Sequence, residues 1–451
     1  MMTLPLSEAA RVLDAVRHGA DVTFAGLSTD TRTIEKGNLF VALQGPNFDG
    51  HDYLQLAQSR GAVAATVSRV VETTLPQVEV ADTRIALGRL AAHWRTQFDL
   101  PLIAVTGSNG KTSVKEMLAA ILRPCGDTLV TRGNLNNDIG VPLTLSGLSD
   151  AHRYAVIELG ANHPGEIAYL TDITKPTVAL VNNAAPAHLE GFGDLDGVAR
   201  AKGELFEHLS DDAVCTINAD DAYAGLWLSL AASRKVVRFG LEAEADVHAT
   251  WQGDMNGSDI SLHTPLGKVD FRLPLPGRHN VMNALAASAA VITLGLSLDV
   301  IARGLSGMHA VDGRWQLRPG LRGAKLIDDT YNANPGSLGV ALDLLANSDD
   351  ECWLVLGDMG ELGDTGETLH RQMGQQARDA GLRHLFSLGP LAATATEAFG
   401  KGGERFDSMD ALVERLRERL APGITVLVKG SRAMHLERVV EALLDQNGED
   451  A

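Results

Sequence analysis

Short runs of consecutive apolar residues, each followed by a stretch of helical spacing, dominate the middle of the chain. Leu102–Val105, Tyr154–Leu159, Val178–Val181 and Ala213–Ile217 lack polar alternation, the signature of strands buried on both faces of a parallel sheet. Lys111–Leu122 and Leu195–Leu209 lie between them with helical periodicity, which makes a βαβ alternation. From Asp246 to Leu273 the pattern changes to alternation broken by Gly-Ser and Pro-Leu-Gly turns, predicting an antiparallel insertion. The uncharged stretch Asn280–Leu298 predicts a buried helix ending near Gly295. Its Asn283, Ser288 and Thr293 argue against a membrane span, which needs about 20 predominantly apolar residues.

On either side the same logic predicts two further α/β units. Leu39–Leu43 and Ala62–Val67 read as strands, with Tyr53–Arg60 as a helix between them and Arg84–Phe98 as a helix after them. Asp99-Leu100-Pro101 then breaks the pattern. Beyond Gly304, Ala324–Ile327, Cys352–Leu356, Leu385–Leu388 and Ile424–Val428 read as strands. Ser337–Ala346, Thr368–Ala380 and Met409–Leu420 read as helices, so a second doubly wound sheet is expected. The fold class is α/β in three domains, 1–98, 99–312 and 313–451, a division that suits 451 residues at roughly 150 residues per domain.

Charge and composition narrow the functions available. With Lys+Arg 39 against Asp+Glu 57 the formal net charge is −18, which repels phosphate backbones and excludes sequence-independent nucleic-acid binding. A small anionic ligand therefore needs a locally positive pocket or a metal. Cys125, Cys215 and Cys352 have no close spacing, which argues against a disulfide framework or a cysteine zinc site. The N-terminus lacks the basic start and apolar core of a signal peptide, so a cytoplasmic protein without membrane insertion is expected.

The strongest local signal is Ala104-Val105-Thr106-Gly107-Ser108-Asn109-Gly110-Lys111-Thr112-Ser113, a buried strand running into a glycine turn and a helix. Such a turn aims backbone N–H groups and a helix N-terminus at phosphate oxygens. Lys111 then reaches the β/γ-phosphates and the Thr112 hydroxyl a Mg²⁺. The spacing departs from the general GxxxxGK[ST] loop, because Val105 stands where its first glycine belongs. An ordinary glycine turn with a solvated lysine is the alternative, and it fits poorly with the flanking strand and helix. Alone, the motif indicates a nucleoside triphosphate.

Glu158 ends a buried strand, where ligands of open α/β sheets gather, and its oxygens suit Mg²⁺. His188 follows the next strand; its spacing is equally that of a ligand and of a surface residue. Lys202, beside Gly203 and Glu204, reads by itself as a solvated helical lysine. In the last unit Asp328, Asp329, Asn332 and Asn334 follow a short strand, with Pro335 placed to start a helix. An Asx-rich turn and helix cap would use the same residues. Gly357-Asp358-Met359-Gly360-Glu361-Leu362 repeats that concentration at the next strand. Lys429 and Arg432 add basic groups able to bind carboxylate or phosphate, at a helix start where acids are preferred.

With these residues assembled, the chain resembles the Mur ligases, ATP-dependent amide-forming enzymes of peptidoglycan assembly. Thr106-Gly-Ser-Asn-Gly-Lys-Thr112 matches the family's short phosphate loop, and the likeness runs through the whole chain in order. Gly133–Pro142, Glu158–Glu166, Asp329–Pro335 and Gly357–Leu362 resemble the member that adds a terminal D-alanyl-D-alanine to a UDP-linked tripeptide. The sister enzyme adding the third residue typically carries Asp-Asn-Pro-Arg, whereas Asn332-Ala333-Asn334-Pro335-Gly336 stands here.

The resemblance implies a role for each domain: UDP-substrate binding in 1–98, ATP binding on a mononucleotide-binding parallel sheet in 99–312, and dipeptide binding on a Rossmann-like sheet in 313–451. It implies that Gly107, Ser108, Asn109, Gly110, Lys111, Thr112 and Ser113 cradle ATP. Asn280 would meet the adenine, and Arg314, Asp328 and Asp329 the ribose and terminal phosphate. Thr112 and Glu158 would hold one Mg²⁺, and Glu158, His188 and Lys202 a second, Lys202 as a carbamate; Lys111, Lys202 and His188 carry the catalytic expectation. Thr29, Thr31, Arg32 and Asn47 would meet the uridine-diphosphate end of the substrate. Asn134 and Asn137 are expected at the substrate too, and Asn332, Asn334, Lys429 and Arg432 at the dipeptide. Small-molecule substrates and a monomer are expected. Three competing readings are the sister ligase, a folylpolyglutamate synthase, and a nucleotide-hydrolysing switch. The 98-residue first unit and the Asn-Ala-Asn-Pro stretch oppose the second, and a switch needs no two further substrate domains.

Overall fold

Leu102–Thr106, buried along its whole length, occupies an inner position of a six-stranded, all-parallel sheet. The strand order is 128–130, 154–158, 102–106, 178–181, 214–218, 235–239. The computed structural model describes residues 1–186, 189–309 and 312–445. Helices Lys111–Leu122 and Arg278–Ile292 cover one face of the sheet. Helices Glu166–Thr174, Leu195–Glu207 and Ala224–Ala231 cover the other, with Trp227 fully buried among them. Cover on both faces is why the inner strands read as unbroken apolar runs.

The antiparallel insertion is a three-stranded ribbon, His248–Asp254, Gly257–Thr264 and Gly267–Leu273. Ile260 and Leu262 anchor it in the same core as the buried helix. That helix is Arg278–Ile292, ending slightly before Gly295. Among the described residues no helix is long and apolar enough to cross a membrane.

The first unit carries strands 27–28, 39–41, 64–67 and 77–79 in parallel, with 16–18 antiparallel at one edge. Its helix Thr83–Arg95 starts at Thr83 because the Asp82 carboxylate accepts the N–H groups of Arg84 and Ile85, a side-chain cap that satisfies donors the helix leaves open. The same helix binds the first unit to the middle one: Trp94 Nε1 donates to the Leu148 carbonyl at 3.1 Å and Arg95 Nε to that of Thr174 at 3.0 Å. The expected helix Tyr53–Arg60 divides into a 3₁₀ turn, Gly50–Tyr53, and a helix, Leu54–Ser59.

The last sheet runs 316–319, 325–329, 424–429, 351–357, 384–388, 403–406. It is parallel apart from its first strand, an antiparallel edge. Helices Gly366–Asp379 and Pro390–Phe399 pack closely on each other; a Cβ added at Gly374 would stand 2.0 Å from the Ala395 carbonyl oxygen. Backbone cannot yield as a side chain does, so Gly374→Ala is expected to cost about 1–3 kcal/mol. A lowered thermal midpoint with unchanged ATP affinity would show it; an unshifted midpoint would refute the close approach.

All three cysteines are free thiols, Cys215 and Cys352 buried and Cys125 part-exposed. Burial pushes the Cys215 thiol up to about 11 and raises that of Cys352.

Candidate active site

The phosphate-type loop is built by the strand next to it. Gly110, at φ 78°, caps the helix Lys111–Leu122 in the left-handed region, and a Cβ there would meet Asn283 Oδ1 at 2.4 Å. Conformation and space both demand glycine at this position. Asn183 follows the strand Val178–Val181, and its Oδ1 accepts the Asn109 N–H at 2.9 Å. Asn182 and Asn183 donate to the Asn109 carbonyl at 3.0 and 3.1 Å, and Asn182 also donates to Asn283 Oδ1 at 2.9 Å. Ser108 donates its hydroxyl to the Ala185 carbonyl. Lys111 Nζ curls over the loop to the carbonyls of Gly107 at 2.7 Å and Ser108 at 3.2 Å. Burial lowers its pKa, against the opposing pull of Glu158.

Glu158 lies level with Val105 across the parallel ladder, 2% exposed. Its Oε2 accepts the Thr112 hydroxyl at 3.1 Å and its Oε1 the Asn136 amide at 2.8 Å. A hydroxyl and a carboxylate side by side are hard oxygen donors of the kind Mg²⁺ takes alongside substrate phosphates. Among the described residues no group of three or more His, Cys, Asp or Glu could hold a metal by itself. Lys202, solvated in the local reading, is only 2% exposed, with Nζ 5.2 Å from the centre of the Phe192 ring. Burial, with the nearby Lys111 charge, brings its pKa down to about 7. Helix Leu195–Glu207 turns that face toward the sheet, which is how a lysine beside a glutamate loses its water. His188 lies outside the described residues.

The last unit reaches the same loop. Arg314 donates through Nη2 to the Thr112 hydroxyl at 3.2 Å and lies 4.2 Å over the Tyr331 ring. Asn334 donates to Asn109 Oδ1 at 2.8 Å, while its own Oδ1 accepts the Ser337 N–H and caps the helix Pro335–Leu345. The helix cap and the site thus share one residue. Lys429, 2% exposed, pairs with Asp329 Oδ2 at 2.5 Å and donates to the Asn332 carbonyl at 3.1 Å. Asp328 is spent locally on the Thr330 N–H and hydroxyl. Arg432 is exposed and pairs with Glu437 at 3.5 Å.

Most of these groups wall one cleft of about 940 Å³, though Gly107, Lys202 and Asp328 are not among the residues that line it. It gathers Ser108–Ser113, Glu158, Asn134, Asn137, Asn280, Arg314, Asp329, Asn332, Asn334, Lys429 and Arg432. Asn280 is held by a bond from its amide to the Pro276 carbonyl. Next to it, His279 keeps an unpartnered, buried Nδ1, and burial pushes its pKa down to about 4.

Thr29, Thr31, Arg32 and Asn47 stand apart from this cleft, on loops after the parallel strands 27–28 and 39–41. The Arg32 guanidinium forks onto Asp30. A residue the sequence reading passed over, His51, ties these loops together. Its Nε2 accepts the Ser68 N–H at 2.9 Å, which leaves Nδ1 to donate to Asp49 at 2.6 Å. Burial alone would raise the Asp49 pKa, but the donors of His51, Gln44 and Arg69 hold it well below the usual range. Asn136, Asn182, Asn183, Asn283 and Tyr331 were missed likewise. Their common signal is a polar side chain just past a strand end or near the start of a helix.

Three family descriptions match successive parts of the chain. They are "Mur ligase family, catalytic domain" over 23–95, "Mur ligase middle domain" over 105–291 and "Mur ligase, glutamate ligase domain" over 313–432. The UDP-N-acetylmuramoyl-tripeptide–D-alanyl-D-alanine ligase of Escherichia coli is 47% identical over 99% of this chain and 100% of its own length. The solved structure of the Acinetobacter baumannii UDP-N-acetylmuramoylalanyl-D-glutamyl-2,6-diaminopimelate–D-alanyl-D-alanyl ligase superposes with a TM-score of 0.89 at 36% identity, covering 98% of each chain. That of the Thermotoga maritima MurF ligase with ADP gives 0.81 at 27% identity, over 93% of this chain and 96% of that one.

Proposed function

The chain belongs to the Mur ligase family, and from that premise we propose that it joins D-alanyl-D-alanine to the free carboxyl of a UDP-N-acetylmuramoyl-tripeptide at the expense of ATP. One observation carries the reading: the phosphate loop, Glu158 and the polar strand ends of the last unit wall a single cleft. The full-length likeness to the E. coli ligase supports the choice of substrates.

A carboxylate is a poor acyl donor because its oxygen cannot leave. Transfer of the γ-phosphoryl group forms a new O–P bond to that oxygen as the β–γ bond of ATP breaks. The amine nitrogen then attacks the acyl carbon, inorganic phosphate departs with the C–O electron pair, and the nitrogen sheds a proton. Lys111 and the loop N–H groups bind and neutralise the triphosphate while a second anion approaches, the largest electrostatic obstacle in a protein of net charge −18. Thr112 and Glu158 would hold one Mg²⁺ and Glu158, His188 and carbamylated Lys202 a second, which when bound offset charge on the phosphates. Asn280 and Arg314 would orient the nucleoside and its phosphates, Thr29, Thr31, Arg32 and Asn47 the uridine diphosphate, and Asn332 and Arg432 the dipeptide. Lys429 would act through Asp329 and the Asn332 carbonyl, to which it is already bound. The reaction belongs in the cytoplasm, where ATP is, and one chain suffices, since its own units wall the cleft.

An ATP-dependent phosphate-release assay, read together with product mass, tests the reading. Phosphate and amide should form together only with UDP-tripeptide and D-alanyl-D-alanine. Turnover of a UDP-dipeptide with a single amino acid would transfer the chain to the sister reaction. Phosphate release without amine or amide would make it a hydrolase.

A further inference from the structure

The acceptor has to run from the strand ends of the first unit to Lys111, and the wall it passes holds one cation from that unit. Arg84 is the only described residue of 1–98 that lines the 940 Å³ cleft. It sits in the first turn of the helix Thr83–Arg95, its backbone N–H fixed by the Asp82 cap. Its guanidinium is fixed from the opposite side by Asp138 of the middle unit, within the Gly133–Pro142 stretch. Nη2 donates to Asp138 Oδ1 at 2.7 Å, and Nε closes on Oδ2.

That grip uses one edge of the guanidinium. Nη1 has no partner among the described residues, and the side chain is 53% exposed. A guanidinium held sideways by one carboxylate keeps a second, planar pair of donors for another, and its rigid fork recognises carboxylates in two-point fashion. The remaining ionisable groups nearby on this wall, Asp138 and Glu166, are acids, so Arg84 is what makes the wall tolerable to an anionic peptide.

We propose that Arg84 binds a carboxylate of the acceptor peptide that does not react, and so sets which carboxyl is presented to Lys111. The inference rests on the acceptor reading above. A peptide ending in D-glutamyl-2,6-diaminopimelate, as named for the A. baumannii relative, has two such groups. One is the free glutamyl carboxylate and the other is the diaminopimelate carboxylate left after activation. Arg84 is thus a specificity-determining contact, and Asp138 positions it.

Steady-state kinetics of Arg84→Ala and Arg84→Lys, with acceptors ending in diaminopimelate or in lysine, test this. The alanine variant should raise KM for the diaminopimelate acceptor about 10–100-fold, leaving KM for ATP and D-alanyl-D-alanine and the thermal midpoint unchanged. Lysine, a point charge without the fork, should restore little of the loss. A loss confined to the diaminopimelate acceptor assigns the contact to that residue, and an equal loss on both assigns it to the glutamyl carboxylate. An unchanged acceptor KM overturns the proposal. So does a rise in all three KM values with a fall in thermal midpoint, which would leave Arg84–Asp138 as a structural link alone. Should Arg84→Ala not fold, Arg84→Lys decides by the same readings. Wild-type turnover in the same assay separates this failure from that of the acceptor reading.

Discussion

Lys111→Ala is expected to cut amide formation about 10³-fold or more while the protein stays folded. Among the described residues Lys111 Nζ bonds only the loop carbonyls of Gly107 and Ser108, which water can satisfy, so the stability cost is about 1 kcal/mol. The catalytic cost is far larger, because among the described residues no other lysine lines this cleft on the middle unit and the triphosphate would face Glu158 without its counter-charge. Phosphate release and product mass measure the first effect, and thermal unfolding the second. Turnover within tenfold of wild type would remove the phosphate-loop argument from which the whole site is built.

Lys202→Ala should reduce turnover about 10²-fold, or about 2.7 kcal/mol of the charge stabilisation that a bound metal would lend. A pKa near 7 leaves a large share of the amine neutral at neutral pH. Its lone pair is then free to attack the carbon of CO₂ and release a proton, giving an anionic oxygen donor in place of a cation. Three readings separate this from simple loss of packing. Short carboxylic acids should restore part of the activity of Lys202→Ala by filling the vacated volume with oxygen donors. Lys202→Arg, which keeps the positive charge and forms no carbamate, should stay inactive. ¹³C-bicarbonate should give a carbamate carbon signal in wild type that both variants lack. An active arginine variant would end the carbamate reading.

The parts legible in the sequence are those whose cause is local. Lys111–Leu122 and Val178–Val181 have the bounds their patterns give, because strand burial and helical periodicity are written in neighbouring residues. Edge strands are not: Thr128–Val130 and Gln316–Pro319 are short and half-exposed, and only pairing with the next strand makes them strands. The phosphate loop announced itself by motif, yet what holds it did not. Asn334 and Asn109 are 225 residues apart, Arg314 and Thr112 202 apart, and no local pattern records such contacts. Lys202 shows the limit most plainly. Its neighbours Gly203 and Glu204 describe a surface helix, and only the packing of Leu195–Glu207 on the sheet buries it.

The unequal fate of the three thiols gives the chain a ready handle for optical work. Cys215 and Cys352 are sequestered, their thiolates suppressed by burial. Cys125 is left as the natural attachment point for a maleimide dye. It sits in the 3₁₀ turn that follows Leu122, at the far end of the rod whose first residue is Lys111. A fluorophore there stands about 20 Å from the nucleotide end at 1.5 Å per residue, outside the reaction volume yet rigidly joined to it. Occupancy of the triphosphate pocket could then be followed in real time without altering a single residue that takes part in turnover.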